Sequence, residues 1–342
     1  MNNSHTLSLL ARRAALCFSA ILLAGCNTVI LHASGDIAQQ EGRLLVVSTL
    51  LMLLIIVPVL FLIGLFAWKY RKGNTEAQYS PEWDHSTSLE LIIWGAPLLI
   101  IIVLGLLTWI STHTLDPYRK LSRIDANRPI LAAVKPLRVE VVALDWKWLF
   151  IYPDLGIASV NELAAPIDVP IEFKITASSV MNSFYIPALA GQIYAMPGMQ
   201  TKLNAVINQP GVYDGFSANY SGAGFSDMKF KFHGLTQVEF DHWVQTFKDK
   251  TALDRTVYAD LEKPSIREPI RHYGVVDASL YHAILNRCVS GDTMCADKMM
   301  MVDVNSNKRA AKNTNPLQLT AINTEVCTTT PSLQDKQNAR AN

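Results

Sequence analysis

At 342 residues the chain is long enough for one large domain or two smaller units, and half of its residues are hydrophobic while only 17% are charged. A mean hydropathy of +0.18 is high for a soluble globular protein, and the apolar excess sits in the first third. The net charge of +1 argues against a nucleic-acid surface and against a strongly acidic partner.

The N-terminus has the three parts of an export signal. Arg12 and Arg13 supply a basic region, "LCFSAILL" a short apolar core, and "LAGC" a run of small residues ending at Cys26. An ordinary signal peptide with a chance cysteine would share the first two parts. The full pattern fits a bacterial lipoprotein, with residues 1–25 removed and Cys26 carrying a diacylglycerol on its sulfur. Cys17 leaves with the signal in either case, and residues 26–43 are expected as an exported N-terminal segment.

Residues 44–68 hold no charge over 25 positions, enough to cross a core of about 30 Å at about 1.5 Å per residue. Residues 91–110 form a second uncharged run, and the second span is set at 89–110. Lys69, Arg71 and Lys72 follow the first span directly, which places the 69–88 loop in the cytoplasm. Arg119, Lys120 and Arg123 beyond the second span weaken the charge rule taken alone. An exported Cys26 decides the matter: everything after about residue 111 lies outside the cytoplasm.

That outer part reads as all-β over 111–235. "PLRVEVVALDWKWLFIYPD" alternates, which puts Leu144, Trp146, Trp148, Phe150 and Tyr152 on one face, and "PIEFKITA" and "DMKFKF" repeat the period of two. Several such strands separated by Pro and Gly clusters suggest a sandwich. "TQVEFDHWVQTF" then changes to a helical period, with Thr236 and Glu239 spaced for a capping box. A helical extension is expected over 236–302, and a polar, disordered tail over 303–342.

The segment "GFSANYSGAGFSDM" raises the question of chemistry. Ser217, Ser221, Phe225 and Met228 stand at the spacing Cys-x3-Cys-x3-His-x2-Met of a two-copper thiolate centre, with nearly every ligand replaced. Together with "SLELIIWGAPLLIIIVLGLLTW", "LDWKWLFIYPD" and "VMNSFYIPALAGQIYAMPGMQTKL", it resembles subunit II of the haem–copper respiratory oxidases over roughly residues 40–250. The resemblance implies a two-helix transmembrane hairpin followed by an all-β, cupredoxin-like sandwich. The family's copper-pair ligands fall at Asn182, Ser217, Asn219, Ser221, Phe225 and Met228. Only the methionine is retained. A bridging copper pair needs soft thiolates, and a serine hydroxyl is hard and stays protonated at neutral pH. Residues 130–232 hold neither His nor Cys that could stand in.

A subunit II with this gap resembles the quinol-oxidase branch, closest to the bo-type ubiquinol oxidases. The resemblance implies no catalytic group and no metal on this chain. Haems and copper would lie in a partner subunit I, ubiquinol would be the substrate of the complex, and cytochrome c would not be a partner. The complex would reduce oxygen and pump protons across the bacterial inner membrane. Two rivals are a cytochrome c oxidase subunit, which the replaced ligands oppose, and a free-standing ligand-binding lipoprotein.

Glu90, at the cytoplasmic mouth of the second span, is a candidate proton inlet in the resembled family, and it also stands three residues after Thr87 as in a capping box. Trp146 and Trp148 could serve as an electron gateway above copper, but as aromatics on one strand face they read as core or subunit contact. "HAILNRCVSGDTMCADKMMM" is rich in sulfur. A copper-handling site is one reading, and a disulfide between Cys288 and Cys295 in an oxidising compartment is the one adopted. No role is assigned to Cys327.

Overall fold

The structure is a computed structural model of the chain and describes residues 28–77, 81–131, 134–291 and 293–313. Cys17, Cys26 with its expected lipid, and Cys327 lie outside the described residues.

Two long helices come first, α1 at Asp36–Lys69 and α2 at Thr87–Thr114, each long and apolar enough to cross a bilayer. Leu54, Phe61, Leu91 and Trp94 are all more than half exposed on the chain alone. A helix that is apolar all round must be covered by lipid or by other protein. Pro58 and Pro97 sit inside these helices without ending them, because hydrocarbon surroundings penalise any backbone arrangement with unpaired amides.

The expected segment 26–43 is helical from Asp36 onward, eight residues ahead of the uncharged run. The cause is tertiary. The N–H of Gly35 donates to the Ala188 carbonyl at 2.8 Å, and a Cβ on Gly35 would lie 2.5 Å from the Leu189 carbonyl oxygen. Asp36, only 3% exposed, accepts two bonds from the Arg123 guanidinium at 2.9 and 3.1 Å. The first turns of α1 are therefore anchored to the outer domain.

The outer domain opens with β1 (Leu137–Leu144), β2 (Lys147–Tyr152), β3 (Ile157–Val160), β4 (Glu162–Pro166) and β5 (Ile171–Ala177). It continues with β6 (Asn182–Ile186), β7 (Ala190–Ala195), β8 (Thr201–Ala205), β9 (Gly211–Ser217) and β10 (Lys229–Leu235). After α3 (Gln237–Gln245) come β11 (Ala252–Leu253), α4 (Arg255–Leu261), β12 (Arg271–Tyr273), β13 (Val275–Val276) and α5 (Leu280–Leu285). One sheet has the order β12-β3-β2-β1-β5-β8 and the other β4-β10-β9-β6-β7, while β11 pairs with β13.

The alternating run 136–154 is a hairpin, not one strand. Asp145 and Trp146 make the turn, Leu144 pairs with Lys147, and Trp146 takes φ 78°. Trp148, Phe150 and Tyr152 do share an inward face, opposite Val139, Val141 and Ala143 of β1. Leu144 points the other way because the turn restarts the alternation. Within the core Phe184 stacks on Phe230 at 5.5 Å, and Trp148 meets Phe184 edge-on at 5.4 Å. Such pairs add about 0.5–1.5 kcal/mol each beyond their burial. Gly215 leaves room for this cluster, since a Cβ there would lie 2.1 Å from Phe230 Cζ.

The far face of the six-stranded sheet is also covered. Val142, Leu144, Leu149 and Ile151 are buried although they oppose the inward set. The segment after α3 contributes Leu253, Tyr258, Leu261, Leu280 and Tyr281, all buried, and β12 extends the sheet beside β3. Lys147, 1% exposed, donates to the Lys263 carbonyl at 2.7 Å and to Ser265 Oγ at 2.6 Å. The extension expected to be helical is thus a mixture of short helices and strands. Strand pairing won there because an open sheet edge was available. The capping box of α3 forms, with Thr236 N–H on Glu239 Oε2 at 2.9 Å.

The described residues from Asn286 to Asn313 belong to a second unit. It contains α6, Ala296–Asn313, so the first part of the tail expected to be disordered is helical.

Candidate functional site

The loop between β9 and β10 is closed by hydrogen bonds where a copper centre would need thiolates. Ser217 ends β9 and Asn182 begins β6, strands that pair antiparallel, which brings the two side chains together. Ser217 Oγ lies 3.0 Å from Asn182 Oδ1 and 3.2 Å from the Asn219 carbonyl oxygen, and it accepts the Ser183 N–H at 3.4 Å. Asn182 Nδ2 donates to the Val180 carbonyl at 3.2 Å, and Asn219 Nδ2 to the Met181 carbonyl at 3.3 Å. Asn182 and Ser217 are 1% and 3% exposed, so these bonds satisfy groups that water cannot reach.

The remaining positions are held differently. The Ser221 carbonyl accepts Trp146 Nε1–H at 3.0 Å, while its buried Oγ has no hydrogen-bond partner among the described residues. Phe225 opens a 3-10 turn and packs its ring on Tyr220 at 5.6 Å. Met228, 1% exposed, belongs to the hydrophobic core. The fold therefore joins Asn182, Ser217 and Asn219 directly and leaves Ser221, Phe225 and Met228 with separate partners. Hydroxyls, amides and one thioether do not fit a copper pair, since none supplies a bridging thiolate or an imidazole. Among the described residues no group of three His, Cys, Asp or Glu is arranged to hold a metal ion.

Trp146 caps this loop. Its ring lies so close that a Cβ on Gly224 would approach Trp146 Cδ2 to 2.5 Å, and one on Gly222 would approach Cζ2 to 3.1 Å. Trp148 is fully buried in the core. The two tryptophans thus have different jobs, one over the loop and one inside the sandwich.

Glu90 lies in the first turn of α2, and its capping box with Thr87 does not form. Ser86 is the N-cap, and Glu90 Oε1 instead meets His85 Nδ1 at 2.8 Å, while His85 Nε2 bonds Thr87 Oγ1 at 3.2 Å. Cys288 and Cys295 form a disulfide with their Cα atoms 4.9 Å apart. Met294 and Met299–Met301 are exposed beside it.

One charged cluster had no signal in the sequence. Glu162 of β4 receives His272 Nε2 at 2.6 Å, His233 Nε2 at 3.3 Å and Trp243 Nε1–H at 3.2 Å. Burial alone would raise the Glu162 pKa, but these three donors outweigh it and hold the carboxyl at about 2. The four residues come from β4, β10, α3 and β12, so no local spacing could announce them.

Two apolar helices, a sandwich and this ligand-poor loop define a chain of the oxidase subunit II class. The family model described as cytochrome C oxidase subunit II, periplasmic domain, matches residues 155–234, and that described as COX Aromatic Rich Motif matches 248–292. The cytochrome bo(3) ubiquinol oxidase subunit 2 of Pseudomonas putida is 47% identical over 268 residues, 78% of this chain and 82% of that protein. The ubiquinol oxidase subunit 2 of Acetobacter aceti is 45% identical over 296 residues, 86% of this chain and 94% of that protein. The crystal structure of the periplasmic domain of subunit II of cytochrome oxidase of Bradyrhizobium japonicum superposes with a TM-score of 0.31 at 25% identity, over 32% of this chain and 91% of that one. The chain belongs to the ubiquinol oxidase subunit 2 family.

Proposed function

We infer that the chain is the redox-free second subunit of a proton-pumping ubiquinol oxidase in the bacterial inner membrane. Relatives at 45–47% identity are named as subunit 2 of a ubiquinol oxidase, which supports the reading. The observation that carries the reading is the Ser217–Asn182 bond, which makes the old metal loop a folding element instead of an electron relay. Electrons would pass from ubiquinol to haem and copper in subunit I without touching this chain, and cytochrome c would find no acceptor here.

The chain's own work is then structural and electrostatic. α1 and α2 pack against subunit I, the sandwich covers the outer face of the complex, and a lipid on Cys26 adds a second membrane attachment. Glu90 admits protons from the cytoplasmic side, with His85 at 2.8 Å as its hydrogen-bond partner. The test is oxygen uptake by membranes with and without the chain, fed ubiquinol or reduced cytochrome c, in a strain with no other quinol oxidase. Loss of ubiquinol-driven uptake supports the reading. Unchanged ubiquinol uptake, or loss with cytochrome c alone, overturns it.

A further inference from the structure

A cavity of about 260 Å³ lies where α1 and α2 leave the membrane and meet the sandwich. The first turns of α1 line it with Asp36 and Glu41, the chain after α2 with Asp116, Arg119, Lys120 and Arg123, and β7 and β8 close it. Three acids and three bases face one space. Asp36 and Arg123 satisfy each other, whereas the other four make no ion pair among the described residues.

Glu41 is half-buried and accepts only the Gly191 N–H, at 3.2 Å, with no cation at ion-pair distance among the described residues. Among the described residues the Arg119 side chain reaches only the His113 carbonyl, at 3.4 Å, and Asp116 accepts the Tyr118 N–H at 2.9 Å. Lys120 makes no ion pair among the described residues and is exposed. The cavity therefore offers two unmatched carboxylates and two unmatched cations.

Its depth fits one kind of ligand, given that α1 and α2 are membrane spans. Glu41 precedes the uncharged run by three residues, about 4.5 Å of helix, and Thr114 follows Ile110 by four, about 6 Å. A hydrocarbon core of about 30 Å within about 40–45 Å of bilayer leaves roughly 5–8 Å for the headgroups on each side. The cavity thus sits in the outer headgroup layer. Balanced charge disfavours an anionic lipid, which would call for surplus cations. No aromatic ring lines the space, and a quaternary ammonium is recognised chiefly by such rings.

We propose that this cavity seats the headgroup of a zwitterionic phospholipid with a primary ammonium, its phosphate against Arg119 and Lys120 and its ammonium against Glu41 and Asp116. The lipid bridges the outer ends of both spans and the sandwich, so it stiffens the joint between membrane and outer domain.

The test uses the intact oxidase complex. Delipidated complex is titrated with dioleoylphosphatidylethanolamine, and with its phosphatidylcholine and phosphatidylglycerol counterparts, and retained lipid is counted by native mass spectrometry. Wild type keeps one more ethanolamine lipid than the charge-balanced variant Glu41→Gln/Lys120→Gln, whose retention of that lipid falls about tenfold. Hydrogen exchange on the wild-type complex gives a readout independent of any variant: residues 115–123 slow when the ethanolamine lipid is added and not with the other two. Equal lipid counts in wild type and variant, or equal protection by all three lipids, overturn the proposal. So does full protection before any lipid is added, which would mean that a protein partner fills the cavity. Lipid counts do not depend on turnover, so a failure of the ubiquinol oxidase reading shows separately, in oxygen uptake.

Discussion

Ser217 and Asn182, 35 residues apart in the chain, share a buried hydrogen bond of 3.0 Å at two positions where the resembled copper proteins carry metal ligands. The bond ties the end of β9 to the start of β6, and so does by polar contact what a metal would do by coordination.

Ser217→Ala should therefore destabilise the outer domain. It leaves Asn182 Oδ1 and the Ser183 N–H short of a partner in a site shielded from water. The expected cost is about 1–3 kcal/mol, read from thermal or denaturant unfolding of the purified chain. On the proposed electron path, which bypasses this loop, ubiquinol oxidation by complexes that still assemble should be unchanged.

Gly224→Ala should be costly for a steric reason. The new methyl would lie 2.5 Å from the Trp146 ring, which is pinned by its bond to the Ser221 carbonyl. Overpacking of this sort costs about 1–3 kcal/mol. Trp146→Ala should remove most of the penalty in the double variant, and a double-mutant cycle reads the coupling.

Glu162 predicts an acid dependence of stability. Its carboxyl is held at about 2 in the folded chain against a usual 4.5, so the unfolded state binds its proton first as pH falls. The stabilisation is fully present above about pH 4.5 and is lost as pH drops towards 2. Glu162→Gln should be less stable than wild type at pH 7, by up to about 3 kcal/mol. That gap should shrink towards zero between pH 4.5 and 2. A constant gap across this range would show that the ionised carboxylate is not the source.

Glu90→Gln should slow ubiquinol-driven oxygen uptake about tenfold, equivalent to about 1.4 kcal/mol of barrier, if protons enter there. His85→Ala removes the 2.8 Å contact and should give a smaller loss. Equal turnover in wild type and Glu90→Gln would leave Glu90 only its place in the first turn of α2.

Local composition and periodicity were enough for part of this architecture. Two uncharged runs can only be helices in a bilayer, because no other open structure satisfies its backbone there. Alternation of apolar residues announced the strands, and Thr236 with Glu239 announced the start of α3. The spacing from Ser217 to Met228 drew attention to the loop between β9 and β10, because ligand geometry is written in short intervals.

What only the folded chain decided depends on long-range contact. The Asp145–Trp146 turn, which breaks one alternating run in two, is set by pairing of β1 with β2 and by the packing of Trp146 on Gly224. The early start of α1 follows from Arg123 holding Asp36, 87 residues away. The Glu162 cluster joins four elements, and the headgroup cavity joins both helix ends to β7 and β8. Hydrophobic pattern reports which face a residue turns, a property of its neighbours along the chain. Partners in a charged or hydrogen-bonded pair are chosen by strand order and by helix placement, and those exist only once the sheets have closed.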